Sequence, residues 1–441
     1  MKSFSVAKLI NSTLIRQCAS VFTGNLFAAG LGFLAVLIVS RKLTVSDFGL
    51  FTIALSVIRL VSSLSSLGMD TGMIKHASSF LIDKKTIEAK QVFKTTFIFR
   101  LTLSFIIAGI VFASAGLLST KVFHCSGLAY TLKFAAFGGF TVSLVNYIRS
   151  VYHAYQSFKT SICFQVLADF GKFISIIVLS FFLCMNVNTA VAIFAFVPVL
   201  SVILGFWKLR NELFSTKKIL TKNICQQLFS YNKWLAMSSV CGLILPHVSI
   251  FMLATMLDSE ASGLYGLALN LTYIFPILIG SLNAVLLPKV SRYREIAQIE
   301  RYIKNSLKTS IGISLIILPF LFFSSNIILF FFGSRYHNSV PIFNWLLLSG
   351  IIGAITTPLR AVLYSMNKPR IITITDTGAL ITVLLGCYFL IPFIGITTPA
   401  ILLLLVNVSV LCFTSFYIFN QIRTGSFISS KVENLDIGGG S

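Results

Sequence analysis

Long apolar stretches alternate with short polar ones along the whole chain. Runs long enough to cross about 30 Å of hydrocarbon, which takes about 20 helical residues, lie at 19–40, 48–68, 95–118, 128–150, 161–184 and 189–207. A second set lies at 234–257, 263–287, 309–332, 341–364, 371–392 and 398–420. Each run is continuously apolar and does not alternate residue by residue, so the pattern predicts helices and not the strands of a membrane barrel. The first run follows Lys2, Lys8 and Arg16 but is too long for a signal-peptide core and has no convincing cleavage site, so it is expected to remain as a helix. The expectation is an all-α integral membrane protein of about twelve transmembrane helices.

Composition agrees with the pattern. Of 441 residues, 56% are hydrophobic and 11% charged, against about 25% charge in a soluble domain. The 35 Lys and Arg against 13 Asp and Glu would suggest nucleic acid as partner in a soluble protein. Here they stand between apolar runs, which excludes a basic nucleic-acid domain and points to loops facing anionic headgroups. Twenty-six of the 35, counting Arg149 at the very end of its run, fall on the N-terminal segment and on every second loop, and four, Arg41, Lys42, Lys121 and Arg335, on the opposite loops. The positive-inside rule therefore places both termini in the cytoplasm. Cys18, Cys125, Cys163, Cys184, Cys225, Cys241, Cys387 and Cys412 are scattered, with no Cys-x-x-Cys spacing, and predict neither a metal site nor a disulfide framework. No nucleotide-binding loop, Gly-x-Ser-x-Gly elbow or His-Glu-x-x-His motif occurs, so no ATPase, hydrolase or zinc centre is expected. The Gly438-Gly439-Gly440-Ser441 end reads as a linker outside the fold.

The two sets of runs are related. A shift of 214 residues brings Gly49-Leu50-Phe51 with Ala54-Leu55 onto Gly263-Leu264-Tyr265 with Ala268-Leu269, Lys75 onto Lys289, and Lys94-Thr95-Thr96 onto Lys308-Thr309-Ser310. The offset then drifts, pairing Arg149 and Val151 with Arg360 and Val362, and Asp169-x-Gly171 with Asp376-x-Gly378. Six runs per half give both halves the same orientation, a parallel repeat in which substrate sites lie between halves near the midplane. The expected division is an N-terminal lobe over 1–207, a basic cytoplasmic linker over 208–233, a C-terminal lobe over 234–420 and a tail over 421–441.

Ionisable groups within the runs are costly and therefore candidates for function. Arg59 sits near the centre of the second run, on a stripe of Thr52, Ser56, Arg59, Ser63, Ser66 and Asp70 at helical spacing. That stripe is expected to line a cavity, the plain alternative being hydroxyls that bond across packed helices. In the second half the stripe becomes Gly266, Asn270 and Tyr273, with Tyr273 aligned to Arg59. Lys172 lies deep in the fifth run but three residues after Asp169, which can simply neutralise it. Arg149 and Arg360 stand at equivalent helix ends, where snorkelling is the bland reading, and Arg100 and Lys133 are placed within a turn or two of theirs. Asp169, Asp376 and His247, the last after Pro246, are candidates for binding a coupling proton or sodium ion; otherwise no cofactor is expected.

The segment from Leu43 to Lys75, Leu-Thr-Val-Ser-Asp-Phe-Gly-Leu-Phe through Leu-Gly-Met-Asp, resembles the start of Wzx-type oligosaccharide flippases, and so does Tyr265-Gly266 through Leu287-Pro288-Lys289. The resemblance implies the MOP superfamily, with MATE exporters and lipid II flippases as cousins, and two six-helix lobes opening alternately to each side. It implies a non-enzymatic transporter of a polyprenyl-diphosphate-linked oligosaccharide in a bacterial inner membrane, serving O-antigen or capsule assembly beside a polymerase and chain-length proteins. A cationic cavity suits such an anion. Arg59 is expected to engage the diphosphate, with Lys172, Arg149, Arg360 and Arg100 as further cations and Asn270 and Tyr273 facing sugars. A cation-coupled drug exporter and a glycan polymerase or ligase are the alternatives. The first is expected to carry acids in its cavity, and the second a large external loop that this chain lacks.

Overall fold

The computed structural model describes residues 13–125, 127–182, 185–214, 222–273, 275, 296–366 and 368–423. Among these residues there are helices and no strands. The helices are α1 (Thr13–Lys42), α2 (Val45–Leu64), α3 (Met69–Ile82), α4 (Thr86–Leu117), α5 (Leu128–Ala154), α6 (Phe158–Phe182), α7 (Val187–Phe214), α8 (Lys222–Met256), α9 (Ser259–Leu271), α10 (Ile296–Ile317), α11 (Ser324–Phe332), α12 (Ser339–Ser365), α13 (Pro369–Ile394) and α14 (Thr398–Arg423).

Ten of the described helices are long and apolar enough to cross a bilayer, and α10 with α11 makes an eleventh span bent by 65°. The bend lies at Phe322–Phe323, directly after a short 3₁₀ segment, Leu318–Leu321, that contains Pro319. Proline lacks the amide hydrogen and crowds the preceding turn, so the α-helical ladder breaks there. Eleven of the twelve expected runs are thus seen as helices. The eighth begins as α9, and the part of it beyond 275 lies outside the described residues. Large apolar side chains face outward, Phe181, Phe322 and Phe393 each more than four-fifths exposed. Such surface belongs against lipid, and the chain is a multi-pass membrane protein.

By contacts the chain divides into a unit Met1–Gly266 and a unit Leu267–Ser441. The basic segment 208–233 is helical at both its ends, since α7 continues to Phe214 and α8 begins at Lys222; residues 215–221 lie outside the described residues. In the first unit α5 is the central helix, packed by α2, α4, α6 and α7 and touched by α3, while α1 lies along α6. Its core at one end joins Met73 and Ala77 of α3, Phe93 of α4, Tyr147, Ile148 and Val151 of α5, Phe164 of α6 and Leu209 of α7. In the second unit α12 packs on α14 and α10, and the matching core holds Leu359 and Val362 of α12 with Tyr302, Ile372 and Ile418. Ile148 and Val151 correspond to Leu359 and Val362 in the repeat, so the duplication is retained in the packing.

The segment that carried the family resemblance has two structural reasons. Thr44 caps α2, its Oγ1 accepting from the Asp47 amide at 3.1 Å and donating to the Asp47 carboxylate at 2.8 Å. Gly49 then lets α2 cross α9 backbone to backbone. A Cβ on Gly49 would stand 1.7 Å from the Ser259 carbonyl oxygen, and one on Gly263 would stand 2.6 Å from that of Val45. These two contacts are the same contact under the 214-residue shift, so equivalent helices of the repeat cross about a local two-fold axis. The Ser46 and Ser259 hydroxyls bond across it at 2.6 Å.

At its other end α2 stops earlier than the polar stripe suggested. Leu67 and Gly68 take φ of 42° and 73°, a left-handed pair that a side-chain-bearing residue such as Leu67 adopts only at a cost. The chain turns there into α3, which places Asp70 on α3 and not on the α2 face. Arg100 is also not near a helix end. The polar residues 86–94 are good helix formers and extend α4 backward, so that Arg100 is buried at its middle. It forms an ion pair with Asp70 and donates from Nε to Ser143 at 2.9 Å, tying α3, α4 and α5 together.

Two outcomes are expected. Gly49→Leu should lower the thermal stability of the purified protein by about 2 kcal/mol or more, because backbone atoms cannot yield as side chains do. Gly109→Leu, where a Cβ meets nothing within 4 Å, should not; equal melting in detergent would refute the close crossing. Asp70→Ala should destabilise by about 3 kcal/mol, the low end for breaking a buried pair because Asp70 is partly exposed. Asp70→Leu combined with Arg100→Met should recover most of that loss.

Candidate anion site in the first helical unit

The C-terminal ends of α2 and α5, the start of α3 and the middle of α4 line a cavity of about 290 Å³ in the first unit. Its wall takes Ser62 and Ser63 from α2, Ser66 from the turn after it, Asp70 from α3 and Arg100 from α4. It takes Asn146, Arg149, Ser150 and His153 from α5, and Leu243 from α8. The helix break at Leu67–Gly68 is what builds it: where the chain turns, α3 brings Asp70 to Arg100, and the serines at the end of α2 face the same space.

The polar groups of this wall are mostly satisfied by one another. Asn146 donates from Nδ2 to Ser62 Oγ at 3.1 Å, Ser150 donates to the Asn146 carbonyl at 2.9 Å, and Ser66 to that of Ser63 at 2.9 Å. Asp70 and Arg100 neutralise each other. Arg149 is the exception. Among the described residues its Nη2 reaches only Asn25 Oδ1 at 3.4 Å, and its Nε is buried without a hydrogen-bond partner. Among the described residues no carboxylate lies within 4 Å of it. A buried guanidinium with an unused donor is costly to keep, and its charge is what the cavity presents to an anion. His76 on α3, outside the spans, sits below its usual pKa because it is partly buried and Lys75 is adjacent, so it adds no charge near neutral pH.

The structure gathers Ser63, Ser66, Asp70, Arg100 and Arg149 of the expected site into one wall and places the others elsewhere. Thr52 and Ser56 are buried and bond back to the carbonyls of Phe48 and Thr52 at 2.8 and 2.9 Å. A Cβ on Gly266 would strike Thr52, so that part of the stripe faces a close helix contact. Arg59 is half-buried and lies near His247 of α8, outside the cavity wall; the His247 Nδ1 is buried without a partner. Asp169 on α6 is held by Lys172 at 2.5 Å and by Gln165 Nε2 at 2.5 Å. In the second unit Arg360 Nη2 bridges both oxygens of Asp376 at 2.8 and 2.6 Å. Asn270 is half-buried there and Tyr273 about half exposed. Lys133 lies over the rings of Phe112 and Tyr130, each at 5.4 Å.

Reading the sequence missed Asn146, Ser150 and His153, although with Ser143 they follow α5 at steps of three and four, the same signal that marked α2. Asn25 on α1 and Ser62 carried no signal of their own.

The chain is similar to known proteins over most of its length. Over 436 residues the chain is 23% identical to a Haloferax volcanii protein described as probable low-salt glycan biosynthesis flippase Agl15, covering 96% of this chain and 86% of that one. It is 24% identical over 356 residues to the lipopolysaccharide biosynthesis protein WzxC of Escherichia coli K12, covering 78% and 67%. Its backbone matches lipid II flippase MurJ in the inward closed conformation with a TM-score of 0.70 at 13% identity, over 95% of this chain and 93% of that one, which shows a shared fold. The resemblance to Wzx-type flippases seen at Leu43–Lys75 therefore holds beyond the motif. Residues 38–341 match one family over more than half the chain, and by that match the protein belongs to the family described as polysaccharide biosynthesis protein.

Proposed function

We propose that this protein is a flippase that moves a polyprenyl-diphosphate-linked oligosaccharide from the cytoplasmic to the periplasmic leaflet of a bacterial inner membrane by alternating access. About twelve helices in two lobes, over 1–207 and 234–420, with both termini cytoplasmic, form the transporter. The observation that carries the reading is Arg149: a buried guanidinium with a free donor, in a cavity of hydroxyl and amide groups within a membrane protein. Paired phosphate oxygens satisfy a guanidinium with charge-assisted hydrogen bonds. At about 290 Å³ the cavity stands at the low end of ligand pockets, so it takes the anionic headgroup and leaves the lipid tail in the bilayer. Flippase descriptions among the relatives support this, and a surface-glycan polymerase and chain-length proteins are the expected partners.

Neither alternative is favoured. The cavity's one acid, Asp70, is neutralised by Arg100, which leaves nothing to attract a cationic drug, and among the described residues no hydrogen bond links a wall serine to His153 or Asp70. Of the three candidates for ion coupling, Asp169 and Asp376 are each engaged by a cation. His247 keeps a buried Nδ1 without a partner, so we assign the coupling proton to it, taken up against the repelling charge of the nearby Arg59. A His247→Gln variant that still transports with a proton gradient as its only drive would sink that assignment.

Arg149→Ala should reduce transport by about 10- to 100-fold, the equivalent of the roughly 1.5–3 kcal/mol of a charge-assisted hydrogen bond. Lipid-linked units should accumulate on the inner leaflet while surface polysaccharide disappears. Arg149→Lys should retain part of the activity. Arg59→Ala, outside the cavity wall, should weaken transport less. Normal surface polysaccharide from normally expressed Arg149→Ala would refute the reading.

A further inference from the structure

The two halves treat one equivalent pair of residues in opposite ways. Arg149 and Asp169, on α5 and α6, correspond in the repeat to Arg360 and Asp376, on α12 and α13. In the second unit the pair is closed, one guanidinium nitrogen bridging both carboxylate oxygens. In the first unit it is open. Asp169 Oδ1 is taken by the Lys172 ammonium and Oδ2 by the Gln165 amide, each at 2.5 Å. Arg149 is left with its Nε unpartnered, although Asp169 is near enough for the two charges to act on one another.

The sequence gives the reason for the difference. The shift that carries Asp169 onto Asp376 carries Gln165 onto Ile372 and Lys172 onto Ala379. Both groups that hold Asp169 are therefore absent from the second half, where Arg360 reaches both oxygens of the acid. Gln165 and Lys172 stand four residues before and three after Asp169, on the same face of α6, so the helix itself presents them to the carboxylate. The Lys172 ammonium is further fixed over the Phe194 ring at 5.5 Å.

We propose that Lys172 is a positioning residue: by holding Asp169 on α6 it prevents the acid from closing on Arg149 and so keeps the Arg149 guanidinium available to an anion in the cavity. This rests on the reading of Arg149 as the anion's contact, and the two can be separated. Lys172 does not touch the anion. Its removal acts through Asp169, so removing Asp169 as well undoes the damage.

The test uses the full-length protein, with inorganic diphosphate as probe. Its binding is read as a thermal shift of purified protein, and transport is read as surface polysaccharide in cells. Lys172→Met should cut diphosphate binding and transport at least tenfold, as Asp169 captures Arg149. Asp169→Asn alone should keep both near wild type, and Lys172→Met with Asp169→Asn should return both to within about threefold of it. Should Lys172→Met fail to reach the membrane, Lys172→Gln, which keeps a hydrogen bond but not the charge, carries the same comparison. A double variant as defective as the single one, or a Lys172→Met protein that binds normally, overturns the role of Lys172 while leaving Arg149 as the contact. Arg149→Ala that binds diphosphate as well as wild type overturns the reading of the cavity itself.

Discussion

Hydrocarbon offers no hydrogen bonds, so each polar group within the spans must find its partner inside the protein, and the fold is arranged around that constraint. The backbone meets it by forming helices throughout. The hydroxyls of Thr52, Ser56 and Thr96 meet it by bonding to carbonyls of their own helices. Charges meet it in pairs, Asp70 with Arg100, Asp169 with Lys172 and Asp376 with Arg360. Of the buried side-chain atoms left without a hydrogen-bond partner among the described residues, the Nε of Arg149 is the one that belongs to a charged group, and the charge leaves it in want of an anion.

The pairs also decide which cations are available. An intramembrane arginine facing a carboxylate is a structural tie, and its charge is spent locally. Arg100 is such a tie: it anchors α3 to α4 and α5 and shapes the cavity without adding net charge. Arg360 is another, in the second unit. A count of basic residues in the spans therefore overstates how cationic the interior is, and pairing reduces the wall of the cavity to Arg149.

Much of this was legible in the sequence, and what was not had identifiable physical causes. The spans follow from apolar runs because lipid imposes one length scale on all of them, and the repeat followed from glycines that the crossing of α2 and α9 requires. The stripe on α2 was only half a guide, because helical spacing assumes an unbroken helix and the left-handed turn at Leu67–Gly68 cannot be seen in periodicity. It carried Asp70 onto α3, yet back to the same cavity. Arg100 was placed near a helix end because hydropathy marks the apolar part of a helix and is silent about a polar turn that continues it. Arg59 drew attention by its depth, whereas depth says nothing about partners, and the arginine with an unused donor lies on α5.

Duplication gives two halves with one fold, so any difference in function must come from substitutions at equivalent positions. Ile372 and Ala379 leave Asp376 to Arg360, and that unit ties its arginine to its own acid. Gln165 and Lys172 occupy Asp169, and the first unit thereby holds an arginine in reserve. Adding a cation next to an acid thus frees a second cation some distance away, on another helix, where the cavity is. An extra lysine that neutralises its neighbour three residues earlier thereby supports the anion site without belonging to its wall, because what it neutralises would otherwise silence Arg149.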